Sequence, residues 1–331
     1  MALFRISRET GIPLVGCLYF GIIDRGSNLL QIRPSCTCNL NCPFCSVDAG
    51  PNSRSRVTTY EVELEYISDW ARQLAEFKGP GVECHIDAPG EPMLYPHIVE
   101  LICALNEIDE VSVISMQSNG TLLDASKIME LERAGLDRIN LSLMALNPDL
   151  AKQLAGMPWY DISRIREAAK KIALSKIDLL IAPVYLPGIN DAEMPELIKF
   201  SQDIGAGKRW PPVGIQKFEP HKLGRKPAGL KVQTWWKFYN RSIRAWEKQF
   251  SSKLLLKPRD FGIEKRPILS SVFRINEKTW VDIRGPGWIR GERLGVARNR
   301  VVSVLNCPVD SGNVRVKLVS IKHNIYVAVP C

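Results

Sequence analysis

Short β-prone runs alternate with amphipathic stretches along most of this chain, and that alternation limits its fold more than any other feature. The runs are Val82 to Asp87, Val111 to Gln117, Arg138 to Met144, Ile177 to Leu186 and Val213 to Phe218. Between them lie stretches near residues 95–107, 124–134, 160–175 and 191–204, whose apolar positions recur at helical spacing. With the strand ahead of Cys36, this makes about six strand-helix units. Strands joined by helical crossovers run parallel, so the predicted fold is α/β, a parallel sheet or a partial (β/α)6 barrel. In such folds the chemistry collects at the C-terminal ends of the strands.

The segment GCLYFGIIDRGSNLLQIRPS reads as a hairpin turning at Asp24 to Ser27. Its second arm leads into CTCNLNCPFC, which places four of the nine cysteines between Cys36 and Cys45. A long helix is predicted from about Thr59, with Val62, Ile67, Trp70, Ala71, Leu74 and Phe77 on one face and Gly79-Pro80-Gly81 as its stop. The N-terminus carries charges and a proline that break its apolar stretch too early for a signal peptide, and no long apolar span occurs. The expectation is a cytoplasmic protein without membrane contact, in which clustered cysteines bind metal rather than form disulfides.

Cys38, Cys42 and Cys45 form C-x3-C-x2-C just after a strand. Three thiolates leave one coordination position open, whereas a structural zinc site closes with four protein ligands. Spacing alone leaves both zinc and an iron-sulfur cluster standing. Cys36 either packs behind the loop, ligates a second metal or joins other thiol chemistry. Cys84 and Cys103 read as small buried hydrophobes, and Cys307 and Cys331 carry no assigned role.

The loop CNLNCPFC resembles the cluster motif of the radical S-adenosylmethionine (SAM) superfamily. Gly90-Glu91-Pro92 in HIDAPGEP is similar to that family's glycine-rich turn, with Pro89 in place of its first glycine. MQSNGTLL, INLSLMA, APVYLPGINDAEM and IQKFEPHKLGR resemble its later strand ends, and the likeness spans roughly Leu30 to Lys222. It implies a 4Fe-4S cluster on Cys38, Cys42 and Cys45, and SAM contacts from Phe44, Gly90, Glu91, Pro92, Ser118, Asn119 and Ser142. It also implies reductive cleavage of SAM to a 5'-deoxyadenosyl radical, with an electron donor such as ferredoxin or flavodoxin. Glu91 is expected to shape its turn rather than act as a base.

Charge is divided sharply along the chain. Residues 1–204 hold 18 Lys and Arg against 27 Asp and Glu, a net −9, while residues 205–331 hold 26 against 8, a net +18. A basic excess confined to the last 127 residues suits a polyanionic partner. The stretch VQTWWKFYNRSIRAWEKQF reads as an amphipathic helix whose aromatics belong to the core. After Lys253, short alternating strands suggest a small β-barrel resembling TRAM or OB-type RNA-binding modules. Arg284, Arg290, Arg293, Arg298, Arg300, Lys317 and Lys322 are the candidate phosphate contacts, with Trp288 and Trp280 as stacking surfaces.

The expected division is an N-terminal hairpin extension over 1–29, a radical SAM catalytic domain over 30–252 and a basic β-barrel-like domain over 253–331. The leading reading is a radical SAM enzyme that modifies an RNA nucleoside, with tRNA as partner. One alternative is modification of a protein or peptide side chain, and the other is a non-enzymatic zinc-stabilised nucleic-acid-binding protein.

Overall fold

A computed structural model describes residues 1–331, in two compact units each assembled from segments distant in sequence. One unit comprises residues 1–37, 53–114 and 265–331; the other comprises residues 38–52 and 115–264.

The first unit begins with β1 (Ala2–Ile6), β2 (Gly21–Asp24), β3 (Leu29–Arg33), β4 (Thr58–Val62), α1 (Leu64–Lys78), β5 (Val82–Ile86) and α2 (Ile98–Asn106). β6 (Val111–Ser118) starts there and ends in the second unit. The second unit continues with α3 (Ala125–Ala134), β7 (Arg138–Leu141), α4 (Pro148–Ala155), α5 (Ile162–Leu174), β8 (Asp178–Ile181), β9 (Val184–Tyr185), α6 (Glu193–Asp203) and β10 (Gln216–Lys217). Next come α7 (Trp235–Lys237), π-helical turns over Phe238–Ile243 and α8 (Arg244–Phe250). The chain then returns to the first unit with β11 (Lys278–Pro286), β12 (Arg293–Ala297), β13 (Arg300–Val304), β14 (Gly312–Ser320) and β15 (Val327–Pro330).

β2 and β3 form the expected antiparallel hairpin, and β3 pairs in parallel with β5. β6, β7 and β8 are also parallel, with Ser118 opposite Leu141 and Leu141 opposite Ile181. The α/β alternation read from the sequence is therefore present. Its boundaries differ where local chemistry intervenes. The expected helix from Thr59 begins only at Leu64, because Thr58 to Val62 pair with β1 as β4. Those residues are mostly β-branched or aromatic, and the strand leaves them buried. The run Ile177 to Leu186 is split into β8 and β9 around Pro183, which has no N–H to give a ladder. A helix absent from the sequence reading, α4, is capped by Asn147, whose Oδ1 accepts from Asp149 N at 3.1 Å and Leu150 N at 3.0 Å. Pro148 at its first position and Gly156 after its end are ordinary start and stop signals.

The last five strands close into a barrel in the order β11-β12-β13-β15-β14. Closure removes the unpaired edges on which short strands otherwise aggregate. Ile283, Val302, Val316, Leu318 and Tyr326 lie in its core. The strands start at Lys278, and residues 253–277 before them hold only one short 3-10 turn, Pro258–Phe261.

Inside the first unit, the segment leading to this barrel is tied down by a buried charge pair. Lys78 Nζ, at the end of α1, lies 2.5 Å from Asp24 Oδ1 and donates to Pro267 O at 2.5 Å, while Leu269 N donates to Asp24 Oδ2 at 3.0 Å. Removing one partner strands the other charge away from water. Lys78→Met is expected to cost about 3–5 kcal/mol in a denaturant titration, and Lys78→Met with Asp24→Leu is expected to recover most of it.

Candidate functional site

The cysteine loop lies at the start of the second unit, and little of it is regular structure. Its backbone therefore needs partners from elsewhere. Asn41 N donates to Ala155 O at 2.9 Å, at the C-terminal end of α4. Gly156, with φ +68, lets the two backbones approach, because a Cβ there would land on the Asn41 carbonyl. Cys45 N donates to Cys42 O at 3.2 Å, and Ala49 N reaches Cys45 Sγ at 3.2 Å.

Arg225, which the sequence reading noticed only as part of a basic loop, grips the same segment. Its N–H donates to Cys45 O at 2.7 Å, its guanidinium donates to Asn41 Oδ1 and Ala49 O, and Nε lies 3.5 Å from Asp48 Oδ1. No single-sequence signal marks one arginine of a basic run as inward-facing; the fold decides it.

At the end of β6, Asn119 Nδ2 donates to Asn39 Oδ1 at 2.9 Å, Asn39 Nδ2 donates to Thr121 Oγ1 at 2.8 Å, and Thr121 Oγ1 donates back to Asn119 Oδ1 at 2.6 Å. This ring of side chains ties the residue after Cys38 to the strand end. Ser118 is buried and its hydroxyl accepts from Gly120 N at 3.0 Å, shaping the turn. The neighbouring polar pair is Gln117 Nε2 to Ser142 Oγ at 2.6 Å, so Gln117 joins the candidates the sequence named. Strand alternation was its available signal, since Gln117 and Ser118 point to opposite faces. Phe44 is buried within the cysteine loop.

In the first unit, Gly90 and Glu91 pack on Thr37, the residue before Cys38. Glu91 N donates to Thr37 O at 2.7 Å, and a Cβ on Gly90 would collide with that carbonyl. Glu91 Oε1 accepts from Met93 N at 3.2 Å, capping the short turn that starts at Pro92. Beside this turn, Asp87 receives Arg33 through Nε at 2.7 Å and Nη2 at 2.9 Å. Burial pushes the Asp87 carboxyl up, but the Arg33 charge and hydrogen bonds outweigh it and hold it below the usual carboxylate range. Cys36 is buried, its Sγ accepting from Tyr60 N at 3.1 Å and its carbonyl from Arg56 Nη1 at 2.8 Å. Arg56 also donates to Pro89 O at 2.6 Å and lies 4.0 Å above the Trp288 ring.

That last contact corrects the sequence reading of Trp288. The ring is 1% exposed and held between Arg56 and Tyr19, whose centroid is 3.7 Å away, so it offers no face to a base. Trp280 is 61% exposed on β11. It stands opposite Arg315 on β14, with Lys278 opposite Lys317. Among the other basic candidates, Arg284 pairs with Asp282, Arg293 with Asp310 and Arg298 with Glu277. Arg300 Nη1 donates to Asn299 O at 2.9 Å, while Arg290 and Lys322 are exposed. Cys84 is buried as expected, but Cys103 is exposed, because Ile98, Leu101, Ile102 and Leu105 take the inner face of α2.

The donor set of the cysteine loop suits an iron-sulfur cluster. Although part of Cys42 meets solvent, packing around its sulfur pushes the thiol up to about 12, and Cys38 and Cys45 add to the rise while Arg225 opposes it. Charge on Cys38 and Cys45 opposes ionisation of Cys42, and a bound cationic group would remove that opposition. The sequence family described as the radical SAM superfamily matches residues 32–201.

The chain belongs to the radical SAM superfamily.

Radical SAM enzymes use a 4Fe-4S cluster and SAM, and these are the cofactors of this one; they also need an electron donor. An uncharacterized protein of Methanocaldococcus jannaschii is 41% identical to this radical SAM chain over 339 residues, covering 96% of this chain and 78% of the relative. The GTP 3',8-cyclase of Desulforamulus reducens is 29% identical, over 55% of this chain and 54% of the cyclase. The chain thus spans about half the length of that cyclase. Among solved structures, Streptococcus suis SuiB bound to precursor peptide SuiA is similar with a TM-score of 0.52 at 22% identity, over 70% of this chain and 48% of SuiB. The [FeFe]-hydrogenase maturase HydG has a TM-score of 0.54 at 14% identity, over 69% of this chain and 51% of HydG. These two likenesses show the fold. No helix is long and apolar enough to cross a membrane.

Arg225→Met removes the charged hydrogen bonds that close the cysteine loop, each worth about 1.5–3 kcal/mol. The expected outcome is less iron bound per chain after anaerobic reconstitution, and faster reaction of the apoprotein's loop thiols with a disulfide reagent. Arg225→Lys is expected to fall between.

Proposed function

We propose that this radical SAM enzyme modifies a nucleoside within RNA, with tRNA as the first substrate to test. In this reading Cys38, Cys42 and Cys45 hold the cluster. Phe44, Gly90, Glu91, Pro92, Ser118, Asn119 and Ser142, carried over from the motif resemblance, contact SAM. When bound, the cluster supplies the single electron that cleaves SAM to a 5'-deoxyadenosyl radical, with ferredoxin or flavodoxin as the donor class. The protein's own part is to hold the shape of the cysteine loop through Arg225, Asn119 and Ala155. Gly90, with no side chain, lets its turn close on the Thr37 backbone just ahead of Cys38.

The observation that carries the RNA reading is the outer face of the C-terminal barrel. Directly opposed residues on antiparallel strands share a face, so the pairs Trp280–Arg315 and Lys278–Lys317 set an exposed indole among three cationic side chains. Such a surface suits a phosphate backbone and an unstacked base together. The GTP 3',8-cyclases among the relatives are named for a nucleotide substrate, which also supports this class over a peptide side chain. Residues 253–331 would serve as the RNA-holding domain. Superfamily membership leaves no support for a zinc-only, non-enzymatic protein.

Two outcomes test this. With the reconstituted enzyme under reductant, 5'-deoxyadenosine is expected to form, and replacing Cys38, Cys42 and Cys45 by alanine is expected to abolish it. RNA affinity is expected to fall steeply with salt, and Lys278→Ala, Arg315→Ala and Lys317→Ala together are expected to lower the log–log salt slope by about 2–3. An affinity for RNA that is weak and insensitive to salt, alongside a modified peptide in mass spectra, would transfer the enzyme to the peptide class.

A further inference from the structure

The aromatic helix after residue 233 was expected to be core, yet only one side of it is. Phe238 and Ile243 are buried, while Trp235 is 51% exposed, Trp236 61% and Tyr239 37%. Lys237 and Arg241 beside them are exposed. Exposed aromatics grouped within a polar rim mark an interaction site more often than single exposed side chains do.

The group is also held by packing on several sides. Trp235 and Tyr239, one helical turn apart, stack with ring centroids 5.5 Å apart and planes 19° from parallel. Thr234 caps the helix start, its Oγ1 accepting from Lys237 N at 3.2 Å. From beneath, Phe238 packs on Tyr185 with centroids 6.4 Å apart, and Trp246 meets Tyr185 edge-on at 5.2 Å. Tyr185 ends β9 and pairs with Lys217, which ends β10. Lys217 Nζ lies 4.8 Å from the Trp235 ring centre and 2.6 Å from Glu219 Oε1. The stacked pair is thereby fastened to the C-terminal ends of two parallel strands, where α/β folds gather their chemistry.

Charge points to the occupant. Residues 217–253 contain ten Lys and Arg and only two Asp and Glu, and although Lys217 and Arg225 are turned inward, Lys237 and Arg241 stand exposed next to the rings in sequence. We infer that Trp235 and Tyr239 form a stacking platform for a nucleobase of the RNA substrate, which extends their stack while the exposed Lys237 and Arg241 meet its phosphates. This rests on the RNA reading above and adds a second contact surface to the one on the barrel. Flat rings accept any base through its π-face, and the cations supply affinity without sequence preference. Sequence choice then belongs to other groups. The π-helical turns over Phe238–Ile243 fit this role, since such turns recur at functional sites.

The test uses the reconstituted full chain and a tRNA transcript carrying 4-thiouridine. Ultraviolet crosslinking followed by peptide mass spectrometry is expected to label residues 235–241. Trp235→Ala is expected to weaken binding of the same transcript by roughly 5- to 100-fold at fixed salt, while Trp235→Phe, which keeps a flat ring, restores it to within a few-fold. RNA bound with crosslinks elsewhere, and an affinity unchanged in Trp235→Ala, would overturn the platform and leave the RNA reading intact. No RNA bound by the wild-type chain removes both. Should Trp235→Ala fail to fold, the crosslink map of the wild type decides alone.

Discussion

The short, irregular loop that carries Cys38, Cys42 and Cys45 has to be held in shape from outside itself. Between Cys38 and Cys45 the chain has almost no regular hydrogen bonding of its own, so its shape is imposed by groups far away in sequence. The end of α4 takes the Asn41 N–H, Asn119 takes the Asn39 side chain, and Arg225 closes over Asn41, Cys45 and Ala49. Polar groups that cannot reach water are costly when unpaired, so these bonds also exclude alternative loop shapes. Arg225 has a second effect, because its charge opposes the rise that crowding imposes on the Cys42 thiol.

The same logic governs the first unit. The turn at Gly90 meets the backbone of Thr37, which fixes the residue immediately ahead of Cys38. Arg56 joins three things that the sequence holds far apart, namely the Cys36 carbonyl, the Pro89 carbonyl and the Trp288 ring. The C-terminal barrel is thus more than a basic appendage within its unit, since Trp288 belongs to the packing around Cys36. Its outer face is free for other work, and there the alternation of β11 and β14 puts apolar side chains inward and Lys278, Trp280 and Arg315 outward.

Aromatic residues show how far composition can mislead. Trp288 and Trp280 sit in similar surroundings of basic residues and turns, yet one is buried under Arg56 and the other is exposed. Trp235 and Trp236 follow a helical pattern that normally marks core, yet both are exposed, while Phe238 takes the contact with Tyr185 of β9 and Ile243 is buried. Burial of a large ring depends on what stands opposite it, and that neighbour comes from another part of the chain.

The sequence by itself determined the α/β alternation, the C-x3-C-x2-C loop after a strand, the superfamily and its two cofactors, and the closing all-β segment. These are encoded locally, in side-chain periodicity, turn residues and fixed cysteine spacing. It also contained the caps of α4 and the β-branched run of β4, where weak local signals were outweighed by longer patterns. Only the tertiary structure decided that Arg225 rather than another residue of its basic run grips the cysteine loop, that Gln117 reaches Ser142, and which tryptophans are exposed. Each of these is a pairing between distant segments, and periodicity along a chain says which face a residue occupies without saying what that face will meet.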